Sequence, residues 1–377
     1  MKRLLIMAPL FWPQKNGGGP PISLLNLVSS IQDQFDIYII SKNHELHDDR
    51  PLDGIQPGWN QLRFGRAYYT LKGQHTLRHI TSLIEEVRPD VIYQNSFFSV
   101  DDLFPVLLYK RRHPQVKVIV APRGELYPQR IRHGWLKKDA YIQAFRLSGL
   151  LKDVYFQGTG EDECLQEQAL LGIPARRTLN IQNISITASL DMDRLAKRPH
   201  ELRLAYIARI HPAKNTLNAI QWLKSVSGSI QYDLYGPIED QAFWCQCQKA
   251  VAELPKNITV RYMGAIEHDQ VPVVLAKYHA LYMPTTGENF GHSIVEAMLL
   301  GKPVIISDQT PWTDVNGNGG YAVGLLDKEG FITALNGLSV MSEDEYLVMC
   351  RQVETYIRKK INVNEIVNQY IAAFNGE

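Results

Sequence analysis

Short runs of apolar residues recur along this chain at wide intervals, and the stretches between them carry helical periodicity. In the first half the runs are Leu4–Ala8, Phe35–Ile40, Asp90–Tyr93, Val116–Ala121 and Val154–Phe156. In the second they are Leu202–Ala208, Ile230–Tyr235, Ile258–Met263, Ala280–Met283 and Pro303–Ser307. Strands that are apolar throughout, rather than on alternate residues, belong to parallel sheets covered on both faces by helices. Ten such strands divide naturally into two sheets of five or six.

A length of 377 residues accommodates two or three domains with substantial cores. The division is expected between Asn183 and Pro199, where the strand-like Leu179-Asn180-Ile181-Gln182 gives way to a charged stretch ending in Arg198-Pro199-His200. This sets an N-terminal domain at 1–190, a C-terminal domain at 198–355 and a closing helical segment at 356–377. Residues 1–190 carry 23 Lys+Arg against 18 Asp+Glu and the remainder 17 against 21, so the two halves present different surfaces. The expected architecture is two doubly wound α/β domains facing each other across a cleft. Open sheets of this kind bind ligands beyond the carboxyl ends of their strands. Two of them turned toward one cleft imply one ligand in each wall and a two-substrate transfer.

A net charge of +1 gives no basic excess for a dedicated nucleic-acid binder. The cysteines Cys164, Cys245, Cys247 and Cys350 are too scattered for a disulfide framework. Cys245-Gln246-Cys247 has one intervening residue, not the two to four of structural zinc ligands. Reduced thiols in a cytoplasmic protein are expected. No run approaches ~20 apolar residues, and Leu4–Leu10 is too short to span a membrane and lacks a small-residue cleavage site.

Two stretches of the C-terminal half carry chemistry. Gly287-Glu288-Asn289-Phe290-Gly291-His292-Ser293-Ile294-Val295-Glu296 follows the strand ending at Met283 and enters a helix that stops at Gly301. Free amides of Phe290, Gly291, His292 and Ser293 at that helix start suit a phosphate oxygen. Glu288 is expected on the loop and Glu296 about two turns into the helix, and carboxylates suit vicinal hydroxyls. The second stretch is Arg209-Ile210-His211-Pro212-Ala213-Lys214-Asn215, between the strand at Leu202 and a helix starting near Lys214. Two cations five residues apart suit a diphosphate and the charge it gains on departure. The bland alternatives are surface glutamates and a solvated basic loop. Taken together, the residues fit a nucleoside diphosphate bearing a sugar.

In this order and spacing, the Arg–Lys pair, the two glutamates separated by seven residues and the continuation Glu296-Ala297-Met298-Leu299-Leu300-Gly301-Lys302-Pro303-Val304 resemble the donor site of family-four retaining glycosyltransferases with the GT-B fold. The likeness covers residues 201–325 well and the N-terminal half mainly in layout. It implies that Arg209 and Lys214 hold the diphosphate, Glu288 touches hydroxyls of the transferred sugar and Glu296 takes the ribose hydroxyls. Asn289, Phe290, Gly291, His292, Ser293 and Ile294 would line the donor, with backbone amides of Phe290, Gly291, Ser293 and Ile294 on the sugar and phosphates. Gly264-Ala265-Ile266 resembles the loop whose backbone reads the base. A closing helix from Asn362 to Phe374 would cross back to the first domain.

In the N-terminal half, Asn16-Gly17-Gly18-Gly19-Pro20 follows the first strand, where glycines let backbone approach a ligand closely. The resemblance implies that Gly17, Gly18 and Gly19 border the diphosphate and the acceptor. Many relatives carry a His near the reaction centre where Pro122-Arg123-Gly124-Glu125 stands here, as in a Pro-Arg-Gly subgroup. Three roles stay open for Arg123: a donor phosphate, an anionic acceptor group or loop order. Between Arg123 and Lys152 the bases Arg130, Arg132, Lys137, Lys138 and Arg146 alternate with Trp135, Leu136, Tyr141 and Phe145. That pattern fits a solvated helix, an anionic membrane or a diphosphate-linked lipid acceptor.

The expected activity is transfer of a sugar from a UDP- or GDP-type donor to a hydroxyl of a glycan or lipid-linked acceptor, with retained configuration, in surface-polysaccharide synthesis. No cofactor is expected beyond the donor as co-substrate, and no metal, since Asp191-Met192-Asp193 lies in the linker. A dehydrogenase is disfavoured because Gly17-Gly18-Gly19-Pro20-Pro21 breaks G-x-G-x-x-G spacing and Ser41-Lys42-Asn43 lacks a ribose-gripping acid. A sugar-nucleotide epimerase, a phosphorylase acting on inorganic phosphate and a non-catalytic binding subunit remain alternatives.

Overall fold

The computed structural model describes residues 1–14, 19–45, 50–128, 131, 135–185 and 195–377. The chain divides into two compact units, Met1–Ile184 with Val363–Glu377, and Ser185–Asn362.

The first unit runs β1 (Lys2–Met7), α1 (Gly19–Ile31), β2 (Phe35–Lys42), β3 (Gly58–Leu62), β4 (Gly65–Thr70), α2 (Leu77–Val87) and β5 (Val91–Asn95). It continues through α3 (Val100–Arg112), β6 (Lys117–Ala121), α4 (Trp135–Ser148), β7 (Tyr155–Gly158), α5 (Glu161–Leu171) and β8 (Thr178–Asn180). The strands form one sheet in the order β3-β4-β2-β1-β5-β6-β7-β8, in which only β3 against β4 is antiparallel. Eight strands replace the five or six expected. The β3–β4 hairpin is a half-exposed edge rich in Gly, Asn, Gln and Arg, so it carries no continuous apolar run. The three-residue β8 closes the other edge.

Apolar residues of the inner strands (Leu5, Ile40, Ile92, Val118, Val120) pack with Ile80, Leu83 and Ile84 of α2 and Leu103, Val106 and Leu107 of α3. Each fully buried side chain of this kind contributes about 1.5–3 kcal/mol. Capping sets where α2 begins, because the Thr76 hydroxyl accepts from the His79 amide.

The second unit runs β9 (Glu201–Ile207), α6 (Thr216–Leu223), β10 (Ser229–Tyr235), α7 (Gln241–Ala252), β11 (Ile258–Gly264), α8 (Val271–Leu275) and β12 (Ala280–Met283). It ends with α9 (His292–Leu299), β13 (Val304–Ser307), β14 (Tyr321–Val323), α10 (Lys328–Val340) and α11 (Glu343–Lys360). Its sheet is wholly parallel, in the order β11-β10-β9-β12-β13-β14. Each sheet thus has the doubly wound, Rossmann-like pattern. In the second unit the order reverses between β9 and β12, and the loops leaving a reversal open a crevice. Gly236, just after β10, has φ +138°, and an added Cβ would stand 2.0 Å from the Ala208 carbonyl oxygen. Only glycine lets the chain leaving β10 press so closely against the chain leaving β9.

The last helix, α12 (Val363–Asn375), belongs to the first unit. Its Phe374 ring meets Phe35 at 5.7 Å and Tyr93 at 5.4 Å, both near edge-on. Lys2 and Lys117 donate from Nζ to the Asn375 and Ala373 carbonyls at 2.8 and 2.6 Å, satisfying acceptors at the helix end. The return begins at Val363 rather than 356, because α11 is an unbroken helix of the second unit with a Ser342–Glu345 capping box at its start. Among the described residues, no helix is long and apolar enough to cross a membrane.

Candidate functional site

The site is built on the two loops that leave the strand-order reversal of the second unit. After β9 the chain passes Arg209 and a single turn at Pro212–Lys214, then enters α6 through Asn215 at φ +58°. After β12 it passes Thr285–Gly291 and enters α9. The two loops are tied at one carbonyl. Ala213 accepts from the Thr286 amide at 3.0 Å, the Thr286 hydroxyl at 2.9 Å and the Thr285 hydroxyl at 3.2 Å. Lys214 Nζ then meets Glu288 Oε1 directly, with side chains only 12% and 16% exposed. The Glu288 amide donates to the Gln309 carbonyl at 3.0 Å, which braces this loop against the one after β13.

Arg209 stands on the same β9 loop, its carbonyl receiving the buried Tyr206 hydroxyl at 2.8 Å. Its Nη1 reaches both oxygens of Glu239 at 2.7 and 2.8 Å. Among the described residues Nη2 and Nε have no acceptor and stay available for another anion, and a lysine ammonium with one carboxylate partner keeps two donors. Each cation therefore holds a carboxylate and retains capacity for phosphate oxygens.

Helix α9 begins at His292, with Gly291 as its cap at φ +76°. The amides of Ile294 and Val295 both donate to the Gly291 carbonyl at 3.0 Å. The Ile294 amide is thus committed to the helix, which corrects its expected place among the ligand-facing amides. Its side chain is also fully buried. Phe290 is buried as well, its ring 5.6 Å from Trp312 and its carbonyl accepting from Trp312 Nε1 at 2.6 Å. Its ring serves the core, and only its backbone remains for a ligand. Asn289, His292 and Ser293 lie on the same turn.

Glu296 sits little more than one turn into α9 rather than two, because the helix starts as late as His292. It is 3% exposed, and its Oε1 has no hydrogen-bond partner among the described residues. Burial alone pushes its carboxyl up to about 8. The basic group paired with it among the described residues is His268, whose Nδ1 stands 3.5 Å from Oε1, beyond a good hydrogen bond. A buried acceptor left unbonded costs stability, about 1–3 kcal/mol, unless a ligand hydroxyl completes it. A vicinal diol is a suitable partner.

The Gly264-Ala265-Ile266 loop leaves β11 with Gly264 at φ +83° and leads directly to the turn His268–Gln270. The structure therefore links this loop to Glu296 through His268. In the first unit, Gly17 and Gly18 lie outside the described residues, and Gly19 opens α1. Arg123, at φ +57°, donates to Asn95 Oδ1 from Nε at 3.0 Å and Nη2 at 2.9 Å. Nη2 also reaches the Tyr93 hydroxyl at 3.0 Å, and Nη1 bonds Asn183. Arg123 thereby ties the ends of β5 and β6 to the segment after β8.

Sequence reasoning missed Glu239 and His268. Glu239 follows the end of β10 as Arg209 follows β9, so an acid just past a neighbouring strand was the available signal. His268 lies four residues beyond Gly264 and gave no local signal. Glu125, counted only as an acid, accepts from the Ser96 hydroxyl at 2.6 Å and the Phe97 and Phe98 amides at 2.7 and 3.1 Å.

Residues 189–342 match the family model described as glycosyl transferases group 1. An O-antigen chain mannosyltransferase B of Escherichia coli is 29% identical over 121 residues, 30% of this chain and 31% of that one, so the chain matches under a third of that relative's length. A 41.2 kDa uncharacterized protein in the cps region of Klebsiella pneumoniae is 22% identical over 309 residues, covering 76% of this chain and 79% of that one. Among solved structures, Anabaena Alr3699/HepE in complex with UDP and glucose superposes over 100% of both chains with a TM-score of 0.75 at 13% identity. The fold is that of the GT-B proteins: two Rossmann-like units with parallel sheets.

Proposed function

We propose that this chain is a retaining glycosyltransferase that moves a sugar from a nucleoside diphosphate sugar to a hydroxyl of a glycan or lipid-linked acceptor in cell-surface polysaccharide synthesis. One observation carries the reading. At the strand-order reversal of the second unit, Lys214 meets Glu288 across two tied loops, Arg209 stands on the first of those loops, and a buried Glu296 with its Oε1 unpartnered lies on the helix that follows. The match to the glycosyl transferase model over 189–342, which contains all four residues, supports it, as does the structural likeness to a protein solved with UDP and glucose.

In this reading Arg209 and Lys214 hold the diphosphate and offset the charge it gains as the sugar leaves. Glu288, already oriented by Lys214, takes hydroxyls of the transferred sugar, and Glu296 takes the ribose diol. Backbone of the Gly264–Ile266 loop faces the base, and amides of Phe290, Gly291 and Ser293 face phosphate and sugar. Neither carboxylate is free to act as a covalent nucleophile, since Glu288 is held by Lys214 and Glu296 is buried. Attack from the face of the leaving diphosphate, assisted by its oxygen, is the mechanism that fits, and no metal is required by this residue set.

The proposed location is cytoplasmic, at the inner face of a membrane. Helix α4 exposes Trp135 (58%) and Leu136 (66%) beside Lys137 and Lys138, a set suited to an anionic bilayer or the diphosphate of a lipid-linked acceptor. Incubation with a panel of UDP- and GDP-sugars tests the assignment. A transferase hydrolyses or transfers one of them slowly with the anomer retained. Interconversion of two sugars would establish an epimerase, and no turnover with tight nucleotide binding a non-catalytic subunit.

A further inference from the structure

The orphaned Oε1 of Glu296 and the histidine beside it raise a question of proton balance. The helix α9 that carries Glu296 packs against α8, β12, β13 and α11, and His268 of the turn His268–Gln270 approaches the carboxyl itself. The buried residues on these elements are apolar or hydroxyl-bearing apart from the Cys350 thiol: Val271, Val274 and Leu275 on α8, Ala280–Met283 on β12, Val304–Ser307 on β13, and Tyr346, Met349, Cys350, Val353, Tyr356 and Ile357 on α11. The buried Lys302 ammonium is directed to the Ala276 and Tyr278 carbonyls at 3.2 and 2.9 Å. Among the described residues His268, with Asp269 next to it, is the basic group paired with the carboxyl, and His292 stands one turn earlier on α9 itself. Its position is fixed by a capping box in which Glu267 and Gln270 bond each other's backbone across the turn.

We infer that His268 is a positioning residue that accepts the Glu296 proton when a ribose diol docks on that carboxyl; this rests on the reading that Glu296 binds the ribose. Without ligand, the apolar surroundings favour neutral forms of both groups. Burial raises the carboxyl and lowers the imidazole. Two hydroxyls donating to the carboxyl favour its ionised form. The O–H bond at Oε1 breaks, its electron pair stays on the carboxylate, and the proton forms an N–H at His268 Nδ1. The 3.5 Å separation closes to an ion-pair hydrogen bond, with Nε2 carrying the other proton. Nucleotide binding then needs no proton release to solvent near neutral pH.

The experiment titrates the whole chain with UDP and with GDP by calorimetry, in two buffers of different ionisation heat, and repeats the Kd from pH 6.5 to 8.5. Wild type is compared with His268→Ala, His268→Gln and Glu296→Gln, each checked for an unchanged melting transition. The nucleotide's own phosphate titration is common to all, so ratios to wild type isolate His268. At pH 6.5 both His268 variants should release close to one additional proton. With a carboxyl near 8, their Kd relative to wild type should tighten about 25-fold from pH 6.5 to 8.5. The double variant His268→Ala with Glu296→Gln should lose that slope. A flat ratio in both His268 variants, with Glu296→Gln still weakening binding, overturns the role of His268 alone. Binding unaffected by Glu296→Gln, or no binding of either nucleotide, overturns the ribose reading and the inference with it.

Discussion

Replacing Lys214 with alanine removes one of the two cations proposed to hold the departing diphosphate. At about 4 Å, a unit charge developing on a phosphate oxygen interacts with an ammonium by ~4 kcal/mol at an effective dielectric of ~20. Lys214 is 12% exposed, so solvent screens little of this. Part of the interaction already exists with the ground-state diphosphate, which leaves about 3 kcal/mol specific to the transition state. The expected loss in kcat is therefore ~150-fold, with a smaller weakening of donor binding. Arg209, a third exposed and shared with Glu239, should cost less when replaced by alanine, about 10–30-fold. Steady-state kinetics with the donor found in the sugar-nucleotide panel measure both, and Lys214→Met supplies a control of similar shape without charge. If Lys214→Ala and Lys214→Met both turn over within threefold of wild type, the charge reasoning is refuted.

Arg123→Ala should destabilise the first unit by about 2–4 kcal/mol in urea denaturation, because it strands the side-chain oxygens of Asn95 and Asn183, while UDP or GDP affinity stays unchanged. Glu167, fully buried on α5 with both oxygens unbonded, is pushed up to about 9 by burial and by Glu163. A carboxyl raised in the folded state gives stability that is present below its unfolded value near ~4.3 and lost as pH rises toward the folded one. Glu167→Gln should therefore stabilise by on the order of 2 kcal/mol at pH 7 and by little at pH 4.5. Melting temperatures at the two pH values check this, and an equal shift at both would contradict it. Transfer activity should survive EDTA, and loss restored by a divalent cation would contradict the metal-independent reading.

What was legible in the sequence was local. The ten apolar runs all became strands, since a strand buried on both faces leaves an uninterrupted apolar signature. The β3–β4 hairpin escaped notice because an edge strand bonds on one side and tolerates Asn, Gln and Arg facing water. The extent of the turn before α9 was misjudged by nearly one turn for Glu296, because Gly291 delays the helix and no side chain there marks its start.

The residue order determined that a cation-bearing loop follows one inner strand and a glutamate-bearing loop and helix another. Their chemistry and spacing are properties of contiguous segments. Only the tertiary structure decided that Lys214 meets Glu288, 74 residues away, that Arg209 meets Glu239, and that Glu296 is sealed from water beside His268. Those outcomes come from strand order and packing: a reversal in the sheet brings distant loops together, and desolvation is set by whatever neighbours cover a group, which no local stretch of sequence specifies.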